Sequence, residues 1–174
     1  PKICTYSCVY CQVGRTLRFQ VEPSRFYEPD VVAAAVAEKV TRARESGETV
    51  DYLTFVPDGE PTLDENLGTT IDLLKPLGIP IAVITNGTLI DHPGVRGALG
   101  KADWVSFKID SVTDLSWRRI NRPHSGLSLE SIHRGMLEFA KAYRGKLVTE
   151  TMLVGELNDE NGNLISIAAF LRRL

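Results

Sequence analysis

Residues 50–59 read Val50-Asp51-Tyr52-Leu53-Thr54-Phe55-Val56-Pro57-Asp58-Gly59. The first seven residues are rich in β-branched and aromatic side chains, which favour strands, whereas Pro, Asp and Gly favour turns. This segment is therefore predicted to form a buried strand over 50–56 that ends in a turn. On its amino-terminal side, Asp30 can cap a helix that starts at Val31 and ends near Gly47.

Helices and strands continue to alternate beyond this strand. The connections are too long for β-hairpins, so the strands are predicted to run parallel with right-handed crossovers, and the fold class is α/β. Ligands of such sheets collect where the loops converge at the carboxyl ends of the strands. The remaining predicted elements are a helix over 63–77, a strand over 79–85, a helix over 92–99, a strand over 103–109, a helix over 129–143, a strand over 146–154 and a helix over 159–174.

The composition fits one ordinary folded domain. Of the 174 residues, 43% are hydrophobic and 24% are charged, so residues 1–174 are taken as a single domain that can bury a sizeable core. The net charge of -2 gives no overall basic field that would attract nucleic acid. There is no apolar run of about 18 residues and no signal peptide, which predicts a cytoplasmic protein without a membrane partner.

The beginning of the chain suggests a longer protein. Pro1 is not an initiator methionine, and Cys4 follows only three residues later. We therefore expect the chain to be an excerpt whose flanking parts lie outside it.

All three cysteines lie in the segment Cys4-Thr5-Tyr6-Ser7-Cys8-Val9-Tyr10-Cys11. An odd number of cysteines this close together cannot form a disulfide framework, and reduced thiolates that bind a metal fit better. Iron-sulfur clusters are usually held by four cysteines, so three would leave one iron without a protein thiolate. Such an open iron can bind a chelating ligand such as the amine and carboxylate of an amino acid.

Other interpretations of the cysteines remain open at this point. A zinc site would need a histidine as a further ligand, and His92, His124 and His133 are all remote in sequence. A ferredoxin-like electron carrier would normally bring a fourth cysteine. The cysteines could also be buried as small hydrophobic residues, although the polar Thr5 and Ser7 argue against a core strand.

Polar residues follow the predicted strands. Gly59 allows a close backbone approach, and the carboxylate of Glu60 can hold an ammonium group, although Pro-Asp-Gly is also an ordinary turn. Asn86 belongs to a Thr-Asn-Gly segment that reads equally well as a turn. Lys108 and Asp110 are two residues apart at a strand end and should face the same side, either as ligands or as a solvated pair.

Two further polar features stand out. Glu150, followed by Thr151, lies inside an apolar run, where a carboxylate that is paired or at an edge is the commoner explanation. The densest basic cluster reads Trp117-Arg118-Arg119-Ile120-Asn121-Arg122-Pro123-His124. It can meet a phosphate-bearing substrate or RNA, or it can be a solvated helix end.

The cysteine spacing carries a specific resemblance. Cys-x3-Cys-x2-Cys with an aromatic residue, Tyr10, just before the last cysteine resembles the signature of the radical S-adenosylmethionine (SAM) superfamily. The resemblance implies that Cys4, Cys8 and Cys11 bind a [4Fe-4S] cluster whose open iron chelates SAM. One electron then cleaves SAM to methionine and a 5'-deoxyadenosyl radical, which abstracts a hydrogen from the substrate. Tyr10 is expected near the adenine.

The same resemblance assigns expected roles to the strand ends. Gly59 and Glu60 are similar to the family's Gly-Gly-Glu motif, which binds the amino group of SAM, although Asp58 replaces the first glycine. Asn86 and Asp110 are expected to help hold the nucleoside, and Lys108 to add a polar contact. The fold implied is a partial (β/α)6 TIM-like barrel, a radical SAM core that lacks its first and last strands.

Four segments together are similar to one subgroup of iron-sulfur oxidoreductases related to the wyosine-forming tRNA enzymes. The resemblance implies an RNA base as a candidate substrate and a one-electron donor such as flavodoxin or ferredoxin. Two alternatives remain open: an enzyme that activates a partner protein by forming a glycyl radical, and a non-catalytic iron-sulfur or zinc-binding module. The segments are Cys-Val-Tyr-Cys-Gln-Val-Gly-Arg-Thr, Gly-Glu-Pro-Thr-Leu, Thr-Asn-Gly-Thr-Leu and Ile-Asn-Arg-Pro-His.

Overall fold

Strands and helices alternate along the chain in the computed structural model, which describes residues 2–174. Short 3-10 turns at Pro61–Leu63 and Lys75–Leu77 flank the second helix. No helix in the described part of the chain is long and apolar enough to cross a membrane. In chain order, the elements are β1 (Ile3–Cys4), β2 (Arg18–Phe19), α1 (Pro29–Glu45), β3 (Leu53–Phe55), α2 (Leu67–Leu74), β4 (Ile81–Thr85), α3 (Pro93–Leu99), β5 (Trp104–Lys108), α4 (Asp114–Asn121), α5 (Leu129–Ala142), β6 (Lys146–Glu150) and α6 (Asn161–Leu171).

The main sheet has four parallel strands in the order β3-β4-β5-β6. Because consecutive strands are neighbours and helices connect them, the predicted α/β parallel architecture is confirmed. β1 pairs with β2 in a separate two-stranded sheet, and Ile3 also forms a parallel bridge to Gly59, just beyond β3. β1 thus lies beside the edge of the main sheet and touches it through this bridge.

One face of the main sheet packs against helices. Phe107 of β5 is fully buried, and its ring lies 5.5 Å from that of Phe139 in α5. Ser106 and Lys108 alternate with Phe107 and so face the other side of the sheet. The side chains of Ser106 and Lys108 and the apolar ring of Phe107 therefore lie on opposite faces of the sheet.

Some predicted elements differ in extent from the observed ones. The strands predicted over 50–56 and 146–154 are shorter, at Leu53–Phe55 and Lys146–Glu150. The helix predicted over 63–77 is divided, and Pro76, which has no backbone N–H, lies in the closing 3-10 turn. The remaining strands and helices were located correctly within a few residues at each end.

Three elements were not predicted, and the first of them is β1, which is only two residues long. β2 is only two residues long, too short for a periodic pattern to be recognised. α4 was considered only as a solvated helix end within the basic cluster, yet it is amphipathic: Trp117, Ile120 and Asn121 are buried, while its arginines are exposed. The charged residues obscured the helical pattern in the sequence. The buried face of this helix packs beside the cysteine segment.

Gly59 gives a test of how β1 is attached. A Cβ at this position would lie 2.1 Å from the carbonyl oxygen of Ile3, which no side chain can tolerate without a shift of backbone. Gly59→Ala is expected to lower the free energy of unfolding by about 2 kcal/mol, measured by urea denaturation. Gly97→Ala in α3, with open space around the new methyl group, should raise it by about 0.5 to 1 kcal/mol. Equal stability of the two variants would contradict the close approach.

Candidate functional site

The cysteine segment forms a compact loop after β1. The backbone N–H of Cys11 donates to the carbonyl of Cys8 at 3.2 Å, which closes a turn. The loop is also attached to the end of α4, because Ser7 N donates to the carbonyl of Asn121 at 3.0 Å. Cys4 is buried, while Cys8 and Cys11 are half-buried. α4 therefore fixes where the cysteines lie relative to the sheet.

Each cysteine sulfur accepts hydrogen bonds from nitrogen donors. Asn86 Nδ2 lies 3.7 Å from Cys4 Sγ, which also accepts from a backbone N–H. Asn121 Nδ2 lies 3.4 Å from Cys8 Sγ. Cys11 Sγ accepts from the side-chain ammonium of Lys2 at 3.0 Å. Donors of this kind stabilise thiolates and the sulfurs of iron-sulfur clusters.

The thiol pKa values follow burial and these donors. Burial raises the pKa of Cys4 to about 11, and it also raises the pKa of Cys8. Burial acts in the same direction on Cys11, but the hydrogen bond from Lys2 and backbone donors bring its pKa below the ordinary value. Metal ligation requires thiolates, so loading the site with metal must release protons.

The donor set fits an iron-sulfur cluster better than a single metal ion. Between residues 2 and 174, no three His, Cys, Asp or Glu side chains come close enough to hold one ion. Thiolates around one zinc ion would lie about 3.8 Å apart, whereas a four-iron cluster spreads its ligands more widely. The ring nitrogens Nδ1 of His92 and His124 accept from nearby backbone N–H groups, and His133 stacks on Phe170. The cysteines therefore fit thiolate ligands of a cluster better than ligands of one zinc ion, and the assignment of Cys4, Cys8 and Cys11 stays a prediction.

Glu60 joins the loop after β3 to the end of β4. Its carboxylate is 5% exposed and accepts from the Thr62 N–H at 3.1 Å, from the hydroxyls of Thr62 and Thr85, and from Asn86 N at 2.8 Å. Burial raises the pKa of Glu60, while these hydrogen bonds oppose the increase. The carboxylate therefore organises two loops, and its predicted contact with the amino group of SAM stays a prediction.

Asn86 links this loop pair to the cysteines. Its side-chain amide donates to the Thr5 hydroxyl at 2.7 Å as well as to Cys4 Sγ, and its carbonyl oxygen accepts from Thr88 N at 3.0 Å. The Thr88 hydroxyl also lies 2.8 Å from that of Thr5. The second predicted loop thus lies directly beside the first cysteine.

A second network surrounds Asp110, which is 2% exposed. One carboxylate oxygen accepts from Asn121 Nδ2 at 2.7 Å and from the hydroxyl of Tyr10, and the other accepts from Met152 N at 2.8 Å. Burial, together with the nearby Cys8 and Asp110, raises the pKa of Tyr10, so its hydroxyl stays a donor. The carboxylate of Asp110 is thus directed at the protein's own donors, and its role toward the nucleoside remains a prediction.

Lys108 lies at the edge of this second network. Its ammonium is 5.2 Å from the centre of the Tyr10 ring and 3.7 Å from Glu150 Oε2. Glu150 in turn accepts from the Ser106 hydroxyl at 3.0 Å, which explains a carboxylate inside an apolar run. Thr151 donates from its hydroxyl to the carbonyl of Ile109.

The residues of the basic cluster lie on both faces of α4 and just beyond its carboxyl end. Trp117 is buried and donates from Nε1 to the Tyr6 hydroxyl at 2.7 Å, whereas Arg118, Arg119 and Arg122 are exposed. Arg118 pairs with Asp114 at 2.7 Å, which fits the solvated helix surface considered from the sequence. The arginines therefore do not reach the cysteines.

The structure brings most of the predicted site residues into two adjoining networks. Cys4, Glu60 and Asn86 belong to one, and Cys8, Tyr10 and Asp110 to the other. Cys11 contacts Lys2, Gly59 packs on Ile3, and Lys108 lies beside the Tyr10 ring.

Sequence reasoning missed Lys2, Thr85 and Asn121 as neighbours of these networks. Asn121 lies in the Ile-Asn-Arg-Pro-His segment, where only the arginines attracted attention. Thr85 belongs to the Thr-Asn-Gly segment, in which only Asn86 was assigned a role, whereas Lys2 carried no sequence pattern that would have distinguished it from an ordinary surface residue.

Comparison with protein families matches residues 1–166 to the radical SAM superfamily, and the chain belongs to it. This superfamily uses a [4Fe-4S] cluster and SAM, and its enzymes need a reductant. The predicted superfamily and its cofactors are thereby confirmed, as is the partial TIM-like barrel.

Among known proteins, the chain is similar to the UPF0026 protein of Methanocaldococcus jannaschii, with 46% identity over 173 residues. That match covers 99% of this chain and 53% of the relative, so the chain spans about half the length of that protein.

Two solved structures show the same fold. TYW1 with a lysine-pyruvate adduct bound has a TM-score of 0.69 and 21% identity, and the match covers 97% of this chain and 58% of that one. Native anSMEcpe with bound AdoMet has a TM-score of 0.70 and 19% identity, and the match covers 97% of this chain and 46% of that one. At these identities, both similarities concern the fold.

Asp110→Asn tests whether this carboxylate holds the second network. An amide would place an N–H₂ group against one of three buried donors, so the variant is expected to lower the free energy of unfolding by about 2 kcal/mol. Asp114→Asn, which removes an exposed carboxylate from the same region, should change it by no more than about 0.5 kcal/mol. Urea denaturation of both variants gives the comparison, and equal small changes would show that the Asp110 hydrogen bonds do not hold the loop.

Proposed function

We propose that the protein containing this core is a radical SAM enzyme in which Cys4, Cys8 and Cys11 bind the [4Fe-4S] cluster and an RNA base is the substrate. The observation that carries the proposal is that Asn86 and Asn121 each donate to a cysteine sulfur. Asn86 also belongs to the Glu60 network and Asn121 to the Asp110 network. The predicted cofactor residues and the cluster ligands are thus parts of one hydrogen-bonded assembly.

The cofactors supply the radical chemistry. When bound, the reduced cluster and SAM provide the electron and the 5'-deoxyadenosyl group that abstracts a substrate hydrogen. The chain's own residues hold the site rigid and limit the access of water. Glu60 fixes the backbone around Asn86, which presents the end of β4 toward Cys4.

Tyr10 and Lys108 form the accessible part of the second network. With its hydroxyl held by Asp110, the Tyr10 ring is fixed in orientation and offers an aromatic face for the adenine. Lys108, held near that ring by Glu150, adds a cation beside the nucleoside position. Gly59 supports this arrangement from the other side, because its close contact with Ile3 keeps β1 and the cysteine loop at the sheet edge.

Two features support RNA as the substrate. Arg118, Arg119 and Arg122 are exposed near the end of α4, the helix whose buried face contacts the cysteine loop. The chain also resembles, in four sequence segments, a subgroup related to wyosine-forming tRNA enzymes, and TYW1 shares its fold. Arginine guanidinium groups bind phosphates with two parallel hydrogen bonds, so this surface can hold an RNA backbone beside the radical site. A one-electron carrier such as flavodoxin or ferredoxin is proposed as the reductant.

The radical chemistry is tested by nucleoside formation. The full-length protein, reconstituted anaerobically with iron and sulfide, is expected to release 5'-deoxyadenosine from SAM when dithionite is added, as measured by chromatography. Single changes of Cys4, Cys8 or Cys11 to Ala should reduce the product to that of a protein-free blank, because each removes a cluster thiolate. Leu17→Ala, at an exposed position beyond the loop, should retain the wild-type yield. A protein that retains zinc and forms no nucleoside would overturn the proposal.

The RNA proposal is tested by the salt dependence of tRNA binding. Changing Arg118, Arg119 and Arg122 together to Gln is expected to weaken tRNA binding and to reduce the slope of log affinity against log salt by about 2 to 3. A matched variant in which Lys39, Arg42 and Arg44 of α1 become Gln removes the same charge from a distant surface and should change the slope less. If the two variants bind equally and a partner protein instead acquires a glycyl radical, the substrate assignment is wrong.

A further inference from the structure

Lys2 occupies an unusual position for a lysine. Its side chain is 7% exposed, and its ammonium donates to Cys11 Sγ at 3.0 Å and to the carbonyl of Gly14 at 2.9 Å. Lysine is almost never fully buried in a protein unless its charge has a partner. The contacts of Lys2 therefore call for a functional explanation.

The charge of Lys2 has no carboxylate partner. Within residues 2–174, no Asp or Glu oxygen lies within 4.0 Å of its ammonium, whereas Lys101 pairs with Asp72 and Lys108 with Glu150. A buried cation without a counter-ion is costly. The ammonium of Lys2 donates to Cys11 Sγ and to the carbonyl of Gly14, and of these two acceptors only the cysteine becomes an anion when it binds a metal. The negative charge that compensates Lys2 is therefore that of the cluster and its ligands.

The backbone keeps the ammonium in place. The carbonyl of Lys2 accepts from Arg18 N at 3.4 Å, and the next residue, Ile3, forms the bridge to Gly59. At the other end, Gly14 N donates to the carbonyl of Cys11 at 2.9 Å, which closes the turn that Lys2 caps. Both the donor and the acceptor thus lie on segments held by hydrogen bonds.

We propose that Lys2 is a positioning residue that raises the reduction potential of the cluster through its contact with Cys11. Reduction adds one electron, supplied by a one-electron carrier, to a centre that already carries three thiolate ligands. A fixed cation beside one of these thiolates stabilises the added negative charge. Lys2 therefore increases the fraction of cluster that a given donor reduces, and the inference depends on the proposed cluster ligands.

The test is a reduction-potential measurement on the full-length, reconstituted protein, in which the signal of the reduced cluster is followed by electron paramagnetic resonance (EPR) as the solution potential is changed. Lys2→Met is expected to lower the ratio of reduced to oxidised cluster about tenfold at fixed solution potential, which corresponds to about 59 mV for one electron. Lys2→Arg keeps the charge and should stay near wild type. Lys2→Gln keeps an N–H donor without the charge, so its reduction potential should be as low as that of Lys2→Met.

Lys39→Met is the matched control, because it removes one exposed lysine charge from α1 and should leave the potential unchanged. Potentials of Lys2→Met and Lys2→Gln equal to that of wild type would overturn the inference. If Lys2→Met fails to hold the cluster, the comparison of Lys2→Gln with Lys2→Arg decides, and equal potentials in that pair would overturn it too. A wild-type protein that binds no cluster at all would instead reject the proposed ligands, so the two failures are distinguishable.

Discussion

The side-chain amide of Asn121 holds the candidate site together. Its nitrogen lies 2.7 Å from an oxygen of Asp110 and 3.4 Å from Cys8 Sγ, and its backbone carbonyl accepts from Ser7. One buried residue at the end of α4 thus connects the cysteine loop with the end of β5. Two further contacts attach the loop to the same helix: Val9 N donates to the carbonyl of Ile120 at 2.9 Å, and Trp117 Nε1 donates to the Tyr6 hydroxyl at 2.7 Å.

Hydrogen bonds between buried groups hold the two carboxylates of the candidate site. Glu60 and Asp110 both accept hydrogen bonds from the protein's own donors, and their expected contacts with the cofactor stay predictions. A buried carboxylate is costly unless it is hydrogen-bonded, and these two satisfy that requirement inside the protein. They shape the loops, while Asn86, Tyr10 and Lys108 lie closer to the surface of the site.

The fold could be predicted from the sequence because its elements have strong local patterns. Apolar and β-branched runs such as that around Leu53 mark the strands of the main sheet, and their alternation with helical patterns requires a parallel sheet. The cap expected at Asp30 is wrong, because α1 begins after Glu28 and Asp30 lies in its first turn. β1 and β2 were not predicted, because each is two residues long and they form by pairing with each other and, at Ile3, with Gly59. α4 was missed because its arginines drew attention to charge rather than to the buried face that includes Trp117.

The candidate site was predictable only in part, for a similar reason. The three cysteines are neighbours in sequence, so their spacing alone indicates that they bind one metal centre together. Lys2 and Asn121 acquire meaning only through the distances at which they approach Cys11 and Cys8, and no spacing rule relates residues 2 and 11 or residues 8 and 121. Partners of this kind are set by the tertiary fold.

The most direct measurement of the central claim is electron-nuclear double resonance on the reduced, reconstituted protein with SAM that carries ¹⁵N in its amino group and ¹⁷O in its carboxylate. A cluster held by Cys4, Cys8 and Cys11 leaves one iron open, so magnetic coupling of both labels to the cluster is expected. An EPR spectrum that SAM does not change, with no coupling to either label, would contradict an open iron at this site.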